Sequence, residues 1–472
     1  MVPTKLRFSV VTALIVALVA VPALAAAEDQ YLQPFSGNVS ESPWWVAIDD
    51  PILTDLIERG LQKNEDVAVA RSRLNQAQAV AWQTLSPVLP QIGVEISGRD
   101  AAIEGLGERT IQQLEMAGED VPDSYQSGSA MLVGQLQLDL FGKRILNHIG
   151  TRKDAQSTMY DNETLATTVA ISIAQSYYDI LAGRERVKAV QEQIKANEEL
   201  LQLVTLRYER GDATGLEVLQ QRQQLASTAT RLPAAEAALE AAELQLAVLL
   251  GREPQNKIDL PTKPLPEMSG DIPTGRPSDL AANRPEMKAA AMSFDAESYR
   301  KYSAIMSFFP TLQAYGQIGE QATWIVDKEQ QSVWEVGLTL SIPIFQGGSN
   351  IAGYRQAKAA QTAARRELRK QTLESNRKVE SAVVSEKLAA RQLDAYSTQF
   401  EAASSALKQS KQRYVLGVAD FQTVLTAINT KQLAELNMIE ARVARIVARI
   451  SLLDAIGGSW TEEFLQKAGG AQ

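Results

Sequence analysis

The chain has no cysteine among its 472 residues. A disulfide framework, thiolate metal ligands and a lipid-bearing N-terminal cysteine are excluded together, so a lasting shape must come from packing. Histidine is nearly as scarce. His148 stands alone, and its place beside a strand-to-helix exit suits a surface or tube-lining residue better than a catalyst. No H-E-x-x-H or G-x-S-x-G occurs, and FGKR at 141–144 lacks both the spaced glycine and the Ser/Thr of a phosphate-binding loop. The residues therefore offer no catalytic, cofactor or metal site, and energy for any work must come from a partner. Positive charge is also short: 47 Lys and Arg stand against 56 Asp and Glu, for a formal charge of −9. An acidic chain without a basic block argues against nucleic acid as a partner.

Long apolar runs are confined to the start. Lys5 and Arg7 precede an apolar stretch that ends in Ala23-Leu24-Ala25 and Ala25-Ala26-Ala27. This order reads as a secretory signal peptide over 1–27, with a retained single anchor as the alternative. No later run approaches the roughly 20 apolar residues that a spanning helix needs. The mature chain thus leaves the cytosol without membrane helices.

What is present is written twice. RYERGDATGLEVL (207–219) returns as RYVLGVADFQTVL (413–425), with Arg207/Arg413, Tyr208/Tyr414, Gly211/Gly417 and Val218/Val424 all spaced by 206. The spacing continues to Leu250-Gly251 and Ile456-Gly457, where both segments meet a glycine suited to a helix end. Earlier, SPVLPQIGVEISG (86–98) resembles SFFPTLQAYGQIG (307–319), and GQLQLDLFGK (134–143) answers LTLSIPIFQGG (338–348). Each half reads as helix, proline, alternating stretch, polar loop, alternating stretch, very long helix, glycine tip and long helix. Duplication of one unit is the simplest account. The first repeat covers 28–251, a proline- and glycine-rich linker 252–280, the second repeat 281–458 and a tail 459–472.

The alternating stretches, about 90–100, 129–141, 310–322 and 333–345, have a period of two. Trp334, Val336, Leu338, Leu340, Ile342 and Ile344 fall on one side, with Glu335, Thr339 and Ser341 among the residues between them. Such strands, about 9–12 residues long, suit a tilted crossing of a bilayer. An ordinary half-buried sheet has the same pattern, so this signal alone leaves both readings open. The polar stretch from Arg99 to Gly128 reads as a long extracellular loop.

Proline is missing from Gly142 to Arg210 and from Ile351 to Leu416. Uninterrupted helices of that size extend about 100 Å. Within them Val187, Val190, Ile194, Asn197, Leu201, Val204 and Tyr208 alternate spacings of three and four. Leu393, Tyr396, Phe400, Ala403, Leu407, Ser410 and Tyr414 do the same in register. Two long helical hairpins follow, at 142–251 and 349–457. Four strands cannot close a membrane barrel, because single-chain barrels begin at about eight strands and an open sheet leaves unpaired edges in lipid. Several chains must then share one.

These features together resemble the TolC-type outer-membrane factors, the export ducts of Gram-negative bacteria. The likeness lies in the LP and FP strand starts, the DLFGKR and PIFQGG strand-to-helix exits, the paired RYxxG tips and the two-fold order of parts. It implies an α+β membrane protein: a homotrimer sharing a twelve-stranded outer-membrane β-barrel, four strands per chain, continued by a periplasmic α-helical barrel. It also implies an equatorial region built from the linker and terminal segments, and passive conduction alongside a periplasmic adaptor (a membrane fusion protein) and an inner-membrane transporter, in tripartite efflux or type I secretion. Many relatives carry a lipid on an N-terminal cysteine, which this chain lacks, so the barrel alone would hold it in outer-membrane lipid.

In the family the hairpin tips narrow the periplasmic entrance and dock the adaptor. That makes Gly211 and Gly417 the expected turn and adaptor-contacting positions, where a missing side chain permits a tight bend and close approach. Glu217 falls where the family's namesake has an acidic residue that holds the entrance closed, and Tyr414 matches its gate tyrosine. The partner arginine position holds Ala419, and two expected carboxylates are Thr423 and Thr426. Asp420 offers a carboxylate nearby, and three copies around a narrow axis would repel one another and raise its pKa; a helix N-cap is the competing role. Tyr208 and Tyr414 end the heptad-like seams, so packing competes with gating for both. The alternative to a duct is a non-porous periplasmic coiled-coil scaffold or adaptor, although an adaptor is expected to carry one hairpin flanked by soluble β domains.

Overall fold

The structure, a computed structural model, describes residues 43–102, 112, 116, 124–255, 258–268, 284–324 and 328–456. The expected leader, the tail and part of the linker lie outside these residues. In chain order the elements are α1 (Pro51–Lys63), α2 (Glu65–Leu85), β1 (Gln91–Ala102), β2 (Ser124–Leu138), α3 (Lys143–Glu209), α4 (Gly215–Ala229), α5 (Arg231–Leu249), α6 (Pro285–Met306), β3 (Thr311–Trp324), β4 (Lys328–Ser341), α7 (Ser349–Val415) and α8 (Phe421–Ile456). A 3-10 turn at Trp44–Ile48 precedes them.

The four strands make one antiparallel sheet in the order β1-β2-β3-β4. Its register lines up Val94 with Leu132, Leu132 with Ile318 and Ile318 with Trp334. Because side chains alternate, this row fixes one apolar face. Val94, Ile96, Trp334 and Val336 on it are exposed. The opposite face is polar: Gln135 donates to Gln91 Oε1 at 2.8 Å, and Glu335 accepts from Tyr315 at 3.1 Å and from Gln317 at 2.6 Å.

The strands depart from the expected ranges at both ends. The β1–β2 ladder continues through Arg99↔Ser127 to Ala102↔Ser124, which shortens the loop expected at 99–128; most of what is left lies outside the described residues. The apolar pattern fades there, yet backbone pairing does not need it. At the other end β4 stops at Ser341 rather than reaching 345, since Pro343 has no N–H to give a ladder. β2 stops at Leu138 because Asp139 turns to cap α3, its Oδ2 accepting from Arg144 N and Ile145 N at 2.9 Å.

α3 and α7 are 67 residues each, about 100 Å at 1.5 Å per residue. α8 returns along α7 as one helix, but the return along α3 is broken between α4 and α5 at Thr230. Pro233 explains the break: it cannot donate to the carbonyl of Ala229, and its ring crowds that carbonyl. The main core sits at the middle of α3. Ile173, Tyr177, Tyr178 and Leu181 pack there with Trp45, Ile57, Leu246, Leu265 and Ile450, so the N-terminal segment and the described part of the linker are pinned to the helices. Asp50 caps α1 and accepts from the Tyr177 hydroxyl at 3.2 Å. His148 joins α2 to α3, its Nδ1 lying 2.9 Å from Ala81 O and 3.2 Å from Thr84 Oγ1.

Candidate functional site at the paired hairpin tips

Both tips end their long helix in the same way. Gly211 N donates to Tyr208 O at 3.0 Å and Asp212 N to Arg207 O at 2.8 Å; Gly417 N and Val418 N repeat this on Tyr414 O and Arg413 O at 3.0 and 2.9 Å. The glycines have φ of +80° and +73°, a left-handed turn that a side chain disfavours. A Cβ at either would meet nothing within 4 Å. The tight bend therefore accounts for the glycine here, and close approach does not within one chain.

Beyond each turn a capping pair starts the returning helix. In the first tip Thr214 is the N-cap of α4, and Glu217 completes a capping box by reaching back to it. In the second tip the acid and the hydroxyl have changed places. Asp420 Oδ1 accepts from Thr423 N at 2.8 Å and from Thr423 Oγ1 at 2.5 Å, ahead of Phe421 at the start of α8. Thr423, which stands where a gate carboxylate was expected, is thus one half of an inverted capping pair. Its hydroxyl, then its backbone N–H, hold the Asp420 carboxyl below the usual range. Within the chain this runs opposite to the rise expected of Asp420. Thr426 donates to Gln422 O at 2.9 Å.

Tyr414 joins the two tips. Its hydroxyl donates to Glu217 Oε2 at 2.5 Å, its ring lies 5.2 Å from that of Phe421, and the Arg207 guanidinium sits 4.5 Å over the ring. Arg207 also donates to Tyr414 O at 2.7 Å and to Asp212 O at 3.3 Å. Burial, followed by the bond to Glu217, pushes the Tyr414 pKa up, so this phenol stays a neutral donor. The structure brings Tyr414 and Glu217 together and leaves Tyr208 exposed. Sequence reasoning did not assign Arg207 to this contact, although its recurrence as Arg413 was in view. Leu200, Val204, Val218, Phe421, Val424, Leu425 and Ile428 form a small core around Tyr414.

A buried polar layer separates this tip core from the main one. Gln221 donates to Asn197 O at 2.9 Å and to Asn197 Oδ1 at 3.2 Å, Asn197 to Thr228 Oγ1 at 3.1 Å, and Gln193 to Glu435 Oε2 at 2.8 Å. Gln224 adds Asn429 Oδ1 at 2.8 Å. The visible signal was Asn197, a polar residue at a seam position.

Residues 56–252 and 277–458 match the family described as outer membrane efflux protein. The chain is 28% identical over 444 residues to the pyoverdine export outer membrane protein OpmQ of Pseudomonas aeruginosa, covering 93% of this chain and 92% of that one. Among solved structures, the outer-membrane channel OprN is similar with a TM-score of 0.80 and 25% identity, over 91% of this chain and 95% of that one. The CmeC outer membrane channel of Campylobacter jejuni shares the fold with a TM-score of 0.81 at 19% identity, over 94% of each chain. The two matched segments together span most of the chain: it belongs to the outer membrane efflux protein family.

Proposed function

We propose that three copies of this chain form one exit duct of an efflux system, a shared β-barrel in the outer membrane continued by a helical tube into the periplasm. The observation that carries this reading is the sheet. Its apolar face is uncovered and its outer strands, β1 and β4, have no further partner among the described residues. In lipid each unpaired backbone group costs several kcal/mol, so the edges must be paired by other chains. Three four-stranded sheets make a barrel of about twelve strands, within the known range. The glutamines and Glu335 of the polar face then line the lumen. Phe141, between β2 and α3, and Phe309, between α6 and β3, lie 5.0 Å apart, where an aromatic girdle would meet the membrane interface.

The hairpin tips form the periplasmic entrance. Tyr414 and Glu217 hold the two tips of one chain together, and Asp420, kept ionised by its cap, adds three carboxylates to the mouth. Gly211 and Gly417 turn the chain where Leu416, Val418 and Leu216 are exposed; this apolar rim is the docking surface for a periplasmic adaptor. Conduction is passive, and an inner-membrane transporter supplies energy and chooses the cargo. Reconstitution tests the reading: a heat-modifiable trimer from the outer-membrane fraction should give ion conductance in a planar bilayer. A trimer that dissolves without detergent and conducts nothing would favour the scaffold alternative.

A further inference from the structure

Just beneath the sheet the two repeats differ. In the second repeat long polar side chains fill the space between α6 and α7: Lys301 donates to Gln361 Oε1 at 2.9 Å, and Gln361 donates to Ser298 Oγ at 2.9 Å. The positions matching Lys301 and Gln361 on α2 and α3, at offsets of 220 and 206, are Ala81 and Ala155. Both alanines are buried, and the space they leave is an open cleft of about 500 Å³. It is lined by Leu74, Leu85 and Met159 and by three groups able to hold a ligand, Trp82, His148 and Arg152.

Trp82 is 67% exposed, and Arg152 is exposed with no ion pair among the described residues. His148 is held in one tautomer. Thr84 Oγ1 gives its proton to Ala81 O at 2.7 Å, and His148 Nδ1 lies 3.2 Å from the first oxygen and 2.9 Å from the second. Both are acceptors toward the ring, so Nδ1 carries the proton and Nε2 of the neutral imidazole keeps a lone pair. The cleft thus presents one cation, one acceptor nitrogen, an indole and an apolar lining.

Its place decides what can reach it. Arg152, Gln156, Met159 and Glu163 continue at spacings of four and three into Ala166, Ala170, Ile173 and Tyr177, the row of α3 that shares the main core with Trp45 and Leu265. Such a layer inside a duct would fill its bore, so the row and the cleft face outward. His148 and Arg152 stand about 8 and 14 Å along α3 from its first residue, below the sheet, and helix side chains lean toward the N-terminus, here toward the membrane. Tryptophan is enriched at that level, where bilayer meets water.

We infer that the cleft seats the headgroup of a glycerophospholipid from the periplasmic leaflet, its phosphate on Arg152 and the ammonium of an ethanolamine headgroup on His148 Nε2. A lipid of that leaflet points its headgroup toward the periplasm, which brings it onto the cleft while its chains stay beside the apolar face of the sheet. A guanidinium matches phosphate through two parallel N–H bonds. The lining holds no carboxylate, so the ammonium finds its acceptor in Nε2. One such lipid on each chain grips the leaflet from below, in a protein without a cysteine to carry a lipid of its own. This inference rests on the duct reading above.

Native mass spectrometry of the full-length trimer, taken from mild detergent with phosphatidylethanolamine added, should find one lipid per chain that stays bound on dilution. Arg152→Gln should cut that retention severalfold. Ala81→Lys/Ala155→Gln, which writes the closed arrangement of the second repeat into the first, should abolish it in a trimer that still conducts; if this pair fails to assemble, Arg152→Gln alone decides. Phosphatidylcholine, whose ammonium has no N–H, should be retained severalfold less than phosphatidylethanolamine, and equal retention overturns the role of His148. Retention that neither variant lowers means that lipid adheres elsewhere, and a conducting wild-type trimer that keeps no lipid means that another segment or a second copy covers the cleft. Either result overturns the inference and leaves the duct standing. A protein that dissolves without detergent and conducts nothing removes both.

Discussion

At the scale of single residues the tip contact can be taken apart one atom at a time. Tyr414→Phe keeps the ring under Arg207 and removes only the hydroxyl on Glu217. A hydrogen bond to a charged group contributes about 1.5–3 kcal/mol, and partial exposure of Glu217 places the loss near the lower end. Thermal unfolding in detergent should register it, and the reconstituted pore should open more readily. The pH dependence follows from the raised Tyr414 pKa. A phenol whose folded value exceeds the ordinary value of about 10 contributes stability that is complete below pH 10 and lost as the pH rises through the folded value. The gap between wild type and Tyr414→Phe should be flat from neutral pH to about 9 and shrink above 10. Asp420 needs a different pair of substitutions. Asparagine caps a helix as well as aspartate does, so Asp420→Asn should preserve the start of α8 while reducing cation block of the pore. Asp420→Ala should lose both, and block that persists in Asp420→Asn would leave the residue a cap alone.

At the scale of elements the long helices are held by polar contacts as well as by apolar ones. Glu386 of α7, 2% exposed, lies 2.8 Å from both Arg445 and Arg449 of α8. Removing one member of a buried ionic cluster strands the rest. Glu386→Leu should destabilise the protein by about 3–5 kcal/mol, read as a lowered unfolding temperature. The duplicated positions in the first repeat hold Ile180, Leu239 and Glu243, so nothing in the repeat pattern announced this cluster. The elements were legible for a physical reason: missing proline, spacings of three and four, and alternation of two are all local, and they mark helix and strand without tertiary information. Strand ends were less legible because pairing depends on the partner strand, as Ala102↔Ser124 shows. In the tips, matching by position singled out Tyr414 and Glu217, whose side chains meet, but read Thr423 as a lost acid. Only geometry shows that Asp420 and Thr423 exchange the two roles of a capping pair. The buried stripe of α3 keeps Val190, Asn197 and Val204 of the expected seam but takes Gln193 and Leu200 where Ile194 and Leu201 were expected, because the opposing hairpins choose the face.

At the scale of the whole molecule the two faces of the sheet make opposite demands, and a single added charge can tell them apart. Val336 lies on the apolar face near the middle of β4, opposite Gly316; Thr339 lies on the other face, opposite Gln313. Lysine at the lipid midplane costs about 2–4 kcal/mol, whereas a lumen position remains hydrated. Each substitution is repeated three times in a trimer, so a penalty of that size is multiplied across the barrel. Val336→Lys should sharply reduce the heat-modifiable trimer recovered from the outer membrane. Thr339→Lys should assemble normally and, with three cations added to the lumen, move the reversal potential in a salt gradient toward anion preference. Equal recovery of the two variants, with no change in ion preference, would mean that the apolar face does not meet lipid, and the barrel would lose its main support.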